Sequence, residues 1–284
     1  MRATDSDPRL AAVNLRLSIL DMVETALSGH IDSSFSCVEI IVALYKDIMR
    51  YDVSNPLMPE RDRFILAKGH AAPALYGMLS EVGYFDKQEL ATLRKLGSRL
   101  QGHPKVGLPG VEVSTGSLGQ GLSVAAGAAL AFKRVYGNGG PRVFVLMGDG
   151  EIDEGQVWEA VMFAGYQKIS NLVAIVDGNK LQYTGTVEDV VAPADLSRAV
   201  RSFGWDYMEI DGHDHNSILT ALQSAGYTAK MPLFVYAHTI KGKDGLFMEN
   251  NLAWHGKVPS TSEIQRIRDS LVEKKRMMEV AKNA

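Results

Sequence analysis

Apolar positions along this 284-residue chain follow two alternating rhythms, and the alternation predicts the fold class. Leu10, Val13, Leu17, Leu20 and Val23 keep the three-to-four-residue spacing of one helical face, with Asp7 and Pro8 as cap and opening residue and an end near Gly29. Further helices are predicted over Ser36 to Met49, Ala71 to Val82, Asp195 to Phe203 and Asn216 to Ala225, with a charged helix from Thr261 to about Val280. Short apolar runs predict strands at Arg63 to Ala67, Arg142 to Met147, Leu172 to Val176, Asp206 to Ile210 and Leu233 to His238. Between them, the small-residue run Gly119 to Ala131 predicts a tightly packed helix, and Val157, Trp158, Val161, Met162 and Ala164 mark another between Gly155 and Lys168. Strands separated by helices predict an α/β fold: a doubly wound, mostly parallel sheet with helices on both faces and an added amino-terminal helical layer. No linker interrupts residues 1–284, so a single domain is expected.

The segment from Arg142 to Asn179 carries the most chemistry. It reads as one βαβ unit, and a right-handed crossover sets its strands parallel, so Asp149 and Asn179 leave the sheet at the same edge, where open α/β sheets bind ligands. Each residue alone could cap a turn. Together, with Gly148 and Gly150 on either side of the aspartate, they form a pair of hard oxygen ligands beside a backbone that a bulky anion can approach. Magnesium prefers few protein oxygens and fills its other positions with phosphate and water, so a metal-bound diphosphate is the predicted ligand.

Composition narrows the field. A formal charge of -3 and a pI near 6.2 argue against a nucleic-acid surface and favour a small-molecule partner. Cys37, the one cysteine, cannot form an internal disulfide, and it reads as a small buried side chain. No apolar run approaches the roughly 20 residues that span a bilayer, and MRATDSDPRL lacks the apolar core of a leader. A cytoplasmic location is therefore expected.

Four of the seven histidines stand beside glycine in turns: His30, His70, His103 and His255. The turn Gly116-Ser117-Leu118-Gly119-Gln120-Gly121 reads GxxGxG, which fails the GxGxxG order of a dinucleotide fingerprint. A zinc hydrolase is disfavoured because no histidine pair with ligand spacing stands on a predicted helix or strand, apart from His213 and His215. Those two are read as structural, in a strand-to-helix loop. Lys241 and Lys243, flanking Gly242, are read as solvated, with phosphate binding as the alternative.

These motifs carry a resemblance. GDGEIDEGQVWEA followed by NLVAIVDGNKLQYTG resembles the thiamine diphosphate motif, and Ser28-Gly29-His30, Lys68-Gly69-His70, Gly102-His103-Pro104, Ser114 to Gly121 and Trp254-His255-Gly256 follow in the order of a transketolase amino-terminal region. The resemblance implies thiamine diphosphate and Mg2+, with Ca2+ or Mn2+ as substitutes, and metal ligation by Asp149, Asn179 and the carbonyl of Leu181. It implies that His70 and His255 lie near the diphosphate, that Gly116 and Leu118 lie beside the aminopyrimidine, and that Ser117 of the same turn also binds the cofactor. Gly148, Gly150 and Glu154 are implied in cofactor binding, and for Glu154 stabilisation of a helix start is an equal reading. His30, His103 and His255 are implied as the catalytic histidines of the substrate channel.

The glutamate that activates the cofactor belongs, in transketolases, to a pyrimidine-binding domain that this sequence does not contain. The resemblance therefore implies the amino-terminal subunit of a split transketolase, transferring a two-carbon ketol unit from a ketose to an aldose. A carboxy-terminal subunit would supply that glutamate and the sugar-binding residues, in a two-plus-two heterotetramer. Two departures stand out: Ile31-Asp32-Ser33-Ser34 where Pro-Gly usually follows the first Ser-Gly-His, and Ser117 in place of a common proline. They put ordinary pentose phosphates in doubt and leave room for a branched or sulfonated sugar. The alpha subunit of a 2-oxo acid dehydrogenase, a synthase resembling that for deoxyxylulose phosphate, and a noncatalytic homologue are the alternatives.

Overall fold

The computed structural model describes residues 7–191, 193, 195–225 and 229–283. The first six residues, part of the segment read for a leader, lie outside the described residues. In chain order the elements are α1 (Pro8–Ala26), α2 (Ile31–Phe35), α3 (Val38–Ala43), β1 (Arg63–Leu66), α4 (Ala72–Glu81), α5 (Gln120–Tyr136), β2 (Val143–Gly148), α6 (Gly155–Tyr166) and β3 (Leu172–Gly178). After these come β4 (Leu181–Gln182), β5 (Gly185–Thr186), α7 (Val187–Val190), α8 (Leu196–Ser202), β6 (Asp206–Asp211), α9 (His215–Ser224), β7 (Leu233–His238) and α10 (Thr261–Asn283).

Five strands form one sheet in the order β1-β2-β3-β7-β6, every neighbouring pair parallel. Side chains alternate across a strand, and the two cores follow that alternation. Phe144, Leu146, Val173, Ile175 and Val235 point into a core shared with α1, α3, α4, α9 and α10. Val143, Val145, Met147, Ala174 and Val176 point into a second core with α5, α6 and α8. Both faces are thus covered by helices, which is why the central strands read as continuous apolar runs rather than alternating ones.

The main difference from expectation lies between Gly29 and Met49. The spacing predicts one helix from Ser36; instead the chain enters α2 at Ile31, turns at Ser36 and Cys37, forms α3, and widens into a π-helical turn at Leu44–Ile48. Asp32, Ser33 and Ser34 are polar and fall before the predicted helix, and all three are buried. The short hairpin β4–β5 and helix α7 were also not anticipated. They follow Asn179 directly and place Leu181 beside the carboxyl ends of β2 and β3.

Candidate active site

β2 and β3 run in register, with Gly148 opposite Asp177, so their next residues emerge together. Asp149 is 2% exposed. Its Oδ1 accepts from the Gly150 amide at 2.9 Å, and Oδ2 accepts from the amide of Lys180, which adopts φ 66° to reach it. The buried Asn179 turns its Oδ1 back to the Leu181 amide at 3.2 Å. Burial, then the nearby Asp177, push the Asp149 carboxyl up to about 6. A cation would relieve that cost.

The donors at this edge are all hard oxygens: a carboxylate, an amide and the carbonyl of Leu181. That set suits magnesium rather than zinc, and it leaves coordination positions for phosphate oxygens. A Cβ built on Gly148 meets no atom within 4 Å, so the loop is open beside the carboxylate. The residues therefore fit a metal-bound diphosphate. Among the described residues, no cluster of three or more His, Cys, Asp or Glu side chains is placed to hold a metal without such a co-ligand. The zinc alternative finds no support in His213 and His215, which pair with Glu39 at 3.0 Å and Asp47 at 3.1 Å.

Below the site, Lys68 is buried in an ion pair with Asp177 and donates to the Ser33 carbonyl at 3.0 Å. Asp177 also accepts from Ser36 Oγ at 2.5 Å and from Thr239 Oγ1. This network ties α2, β3 and the segment after β7 under one edge. Gly69 follows Lys68, and a Cβ there would stand 2.9 Å from the Gly116 amide, so only glycine lets this turn reach the Gly-rich turn.

Glu151 fixes the Gly-rich turn from the other side. Its Oε1 accepts from the Gly119 amide at 3.0 Å and its Oε2 from the Gly148 amide at 3.1 Å. Burial raises its carboxyl to about 7. Gly119 adopts φ 84°, and a Cβ on it would lie 2.7 Å from the Glu154 side chain, so both backbone and space require glycine. Ser117, Leu118 and Glu154 are exposed around this turn, and Ser117 Oγ accepts from Gln120 Nε2 at 3.1 Å.

Three of the four turn histidines meet. Ring centroids lie 5.2 Å apart for His30 and His70, 5.6 Å for His30 and His255, and 5.9 Å for His70 and His255. His103 stands apart, exposed, with its ring against Gly116. Tyr76 of α4 steadies its loop by donating to the carbonyls of Gln101 at 3.0 Å and His103 at 3.1 Å. Burial lowers the basicity of all four rings, most strongly at His70, and brings His30 down to about 4.

His30 is therefore expected to remain neutral until the pH approaches 4, with no NMR titration midpoint near the ordinary 6.5. The linked effect on stability has a definite sign. The unfolded chain binds this proton first, so the contribution of neutral His30 is complete above 6.5 and is lost as pH falls toward 4. A His30 midpoint near 6.5 would contradict this.

Several site residues were not anticipated. Lys241, read as solvated, is 2% exposed, donates to the Leu181 carbonyl at 3.2 Å and lies 3.5 Å from Asp32. Tyr183 packs edge-on against His255 at 5.5 Å. Arg94 donates to Ser28 Oγ at 2.8 Å beside the Gly102 turn. Each role depends on a partner far away in sequence, so spacing alone gave no signal for it. The pairing of lysine with glycine at Lys241-Gly242 was the only hint.

Comparison with known proteins decides the family. The sequence profile described as "Transketolase, thiamine diphosphate binding domain" matches residues 8–283. The chain belongs to the transketolase family. Within that family it corresponds to the thiamine diphosphate-binding region. It is 40% identical over 250 residues to an apulose-4-phosphate transketolase subunit of Phocaeicola vulgatus, covering 88% of each chain. It is 41% identical over 228 residues to a 6-deoxy-6-sulfo-D-fructose transketolase subunit of Clostridium sp. (strain MSTE9), covering 80% of this chain and 82% of the relative. Transketolase from Leishmania mexicana superposes with a TM-score of 0.87 at 27% identity, over 94% of this chain and 41% of that one. The chain thus spans about two-fifths of that longer transketolase and most of the length of the two shorter relatives. Among the described residues, no helix is long and apolar enough to cross a membrane.

Proposed function

We propose that this chain is the diphosphate-binding subunit of a split, cytoplasmic transketolase, residues 1–284 forming one domain with an amino-terminal helical layer. The observation that carries the reading is the set of oxygen donors Asp149, Asn179 and Leu181 at one sheet edge, joined from the Leu181 carbonyl through Lys241 and Asp32 to His255, whose ring packs with those of His30 and His70. The naming of two relatives as transketolase subunits supports the split. Asp149, Asn179 and the Leu181 carbonyl would hold Mg2+, and Gly148, Gly150, His70 and His255 would border the diphosphate. Gly116 and Leu118 would flank the aminopyrimidine, with Ser117 also on the cofactor side, and Glu154 would lie toward the cofactor and the neighbouring protomer.

When bound, thiamine diphosphate supplies the electron sink needed to break and form a carbon–carbon bond next to a ketose carbonyl. The chain's own part is binding and proton handling. His30, neutral through the working pH range, donates or accepts hydrogen bonds without adding charge to the channel. His30 and His255 stabilise negative charge developing on the substrate oxygen, and His103, from the rim, holds a hydroxyl of the transferred fragment. A second chain with a pyrimidine-binding domain supplies the activating glutamate and sugar-binding residues, in a two-plus-two heterotetramer. The substituted Ile31 to Ser34 segment and Ser117 make a modified ketose the first substrate class to try beside pentose phosphates.

Affinity capture from the native lysate with thiamine diphosphate and Mg2+, read by mass spectrometry, tests the assembly. A partner of roughly transketolase-remainder size carrying a pyrimidine-domain glutamate is the expected catch. A lipoyl acyltransferase would favour the 2-oxo acid dehydrogenase alternative instead, and no partner at all would remove the split enzyme.

A further inference from the structure

Asp32 is a buried acid that neither the metal edge nor the Gly-rich turn uses. It lies in α2, and its side chain is 0% exposed. Its Oδ2 stands 3.5 Å from Lys241 Nζ and 3.8 Å from His255 Nδ1. Its Oδ1 is buried without a hydrogen-bond partner among the described residues, and so is His255 Nδ1. A carboxylate oxygen only accepts, whereas an imidazole nitrogen that carries its proton donates. The two groups are complementary as well as adjacent. Closing the 3.8 Å gap by about 1 Å would bring them within ordinary hydrogen-bond range and give the buried ring nitrogen a partner.

The surroundings hold Asp32 in place for this contact. The Gly242 amide donates to the Asp32 carbonyl at 3.0 Å, fixing α2 to the loop that carries Lys241. The next residue, Ser33, gives its carbonyl to Lys68. Around His255 stand Lys241, Lys68, His30, His70 and the ring of Tyr183. Asp32 is the nearest anionic acceptor the structure gives for that ring.

We propose that Asp32 is a positioning residue that holds His255 in its Nδ1–H tautomer. The hydrogen bond made by one ring nitrogen sets the state of the other, so Nε2 then keeps its lone pair, takes the proton of a substrate hydroxyl as that O–H bond breaks, and as part of the resulting imidazolium stabilises the negative charge left on the oxygen. The same carboxylate balances the buried charge of Lys241. Its catalytic meaning rests on the reading of His255 as a proton-handling group, but the tautomer itself does not.

The test is 15N NMR of the imidazoles in the full chain, at a pH where the histidines are neutral, with His255 assigned by the signals lost in His255→Gln. The expected pattern is a protonated, pyrrole-type Nδ1 and a pyridine-type Nε2 at His255. Asp32→Asn, which keeps an acceptor oxygen, should preserve that pattern, and Asp32→Leu should shift the population toward Nε2–H. A wild-type His255 already in the Nε2–H form overturns the proposal without any variant, which guards against misfolding of Asp32→Leu. An unchanged tautomer in folded Asp32→Leu overturns it as well. Failure of the transketolase reading would appear separately, as absent Mg2+-dependent thiamine diphosphate binding with the tautomer intact.

Discussion

Asp149→Ala should abolish Mg2+-dependent binding of thiamine diphosphate while leaving the sheet folded. The wild-type carboxylate is buried, raised to about 6, and tied to two backbone amides, so it is held in place for a cation before one arrives. Removing one partner of a buried, compensated charge costs about 3–5 kcal/mol, which corresponds to a loss of affinity of roughly 100-fold or more. Isothermal titration with the cofactor, with and without Mg2+, measures it. Tight binding that survives the substitution would remove Asp149 from the ligand set.

The second large effect concerns assembly. The chain alone should transfer no ketol unit even when saturated with cofactor and Mg2+, and activity should appear on adding its partner. The reason is chemical: the activating glutamate proposed for the partner provides acid–base assistance of the kind worth about 100- to 10,000-fold. A coupled assay across pentose phosphates and modified ketoses, with each component omitted in turn, decides it. Appreciable turnover by the lone chain would mean that a carboxylate of its own performs the activation. Glu151 would then be the first to examine, since burial holds it near 7.

How much of this was visible in the sequence depended on whether a residue's role was local. The strands were legible because β2 and β3 are buried on both faces, which leaves uninterrupted apolar runs such as Val143 to Met147. Helix α5 was legible from its small residues, although it runs on to Tyr136 rather than stopping at Ala131. Helix α2 was not, because Asp32, Ser33 and Ser34 are polar by composition and buried by position, and no period marks such a segment. At the site, the glycine and histidine turns announced themselves as short motifs. Glu151 did not, and Lys241 and Asp32 stood out only as a lysine beside glycine and as part of a departure from the family pattern, because each role is defined by a partner brought near only by folding: Gly119, Leu181 and His255.

The double hold of Glu151 on Gly119 and Gly148 has a thermodynamic consequence. Two loops that would otherwise be ordered separately by a ligand are already a single rigid frame, so much of the entropy loss of shaping the pocket accompanies folding rather than binding. Changes on one loop must then be felt on the other. Substitutions in the GDG loop and in the Gly-rich turn belong to one energetic unit, and their effects on affinity will not add as those of independent sites do.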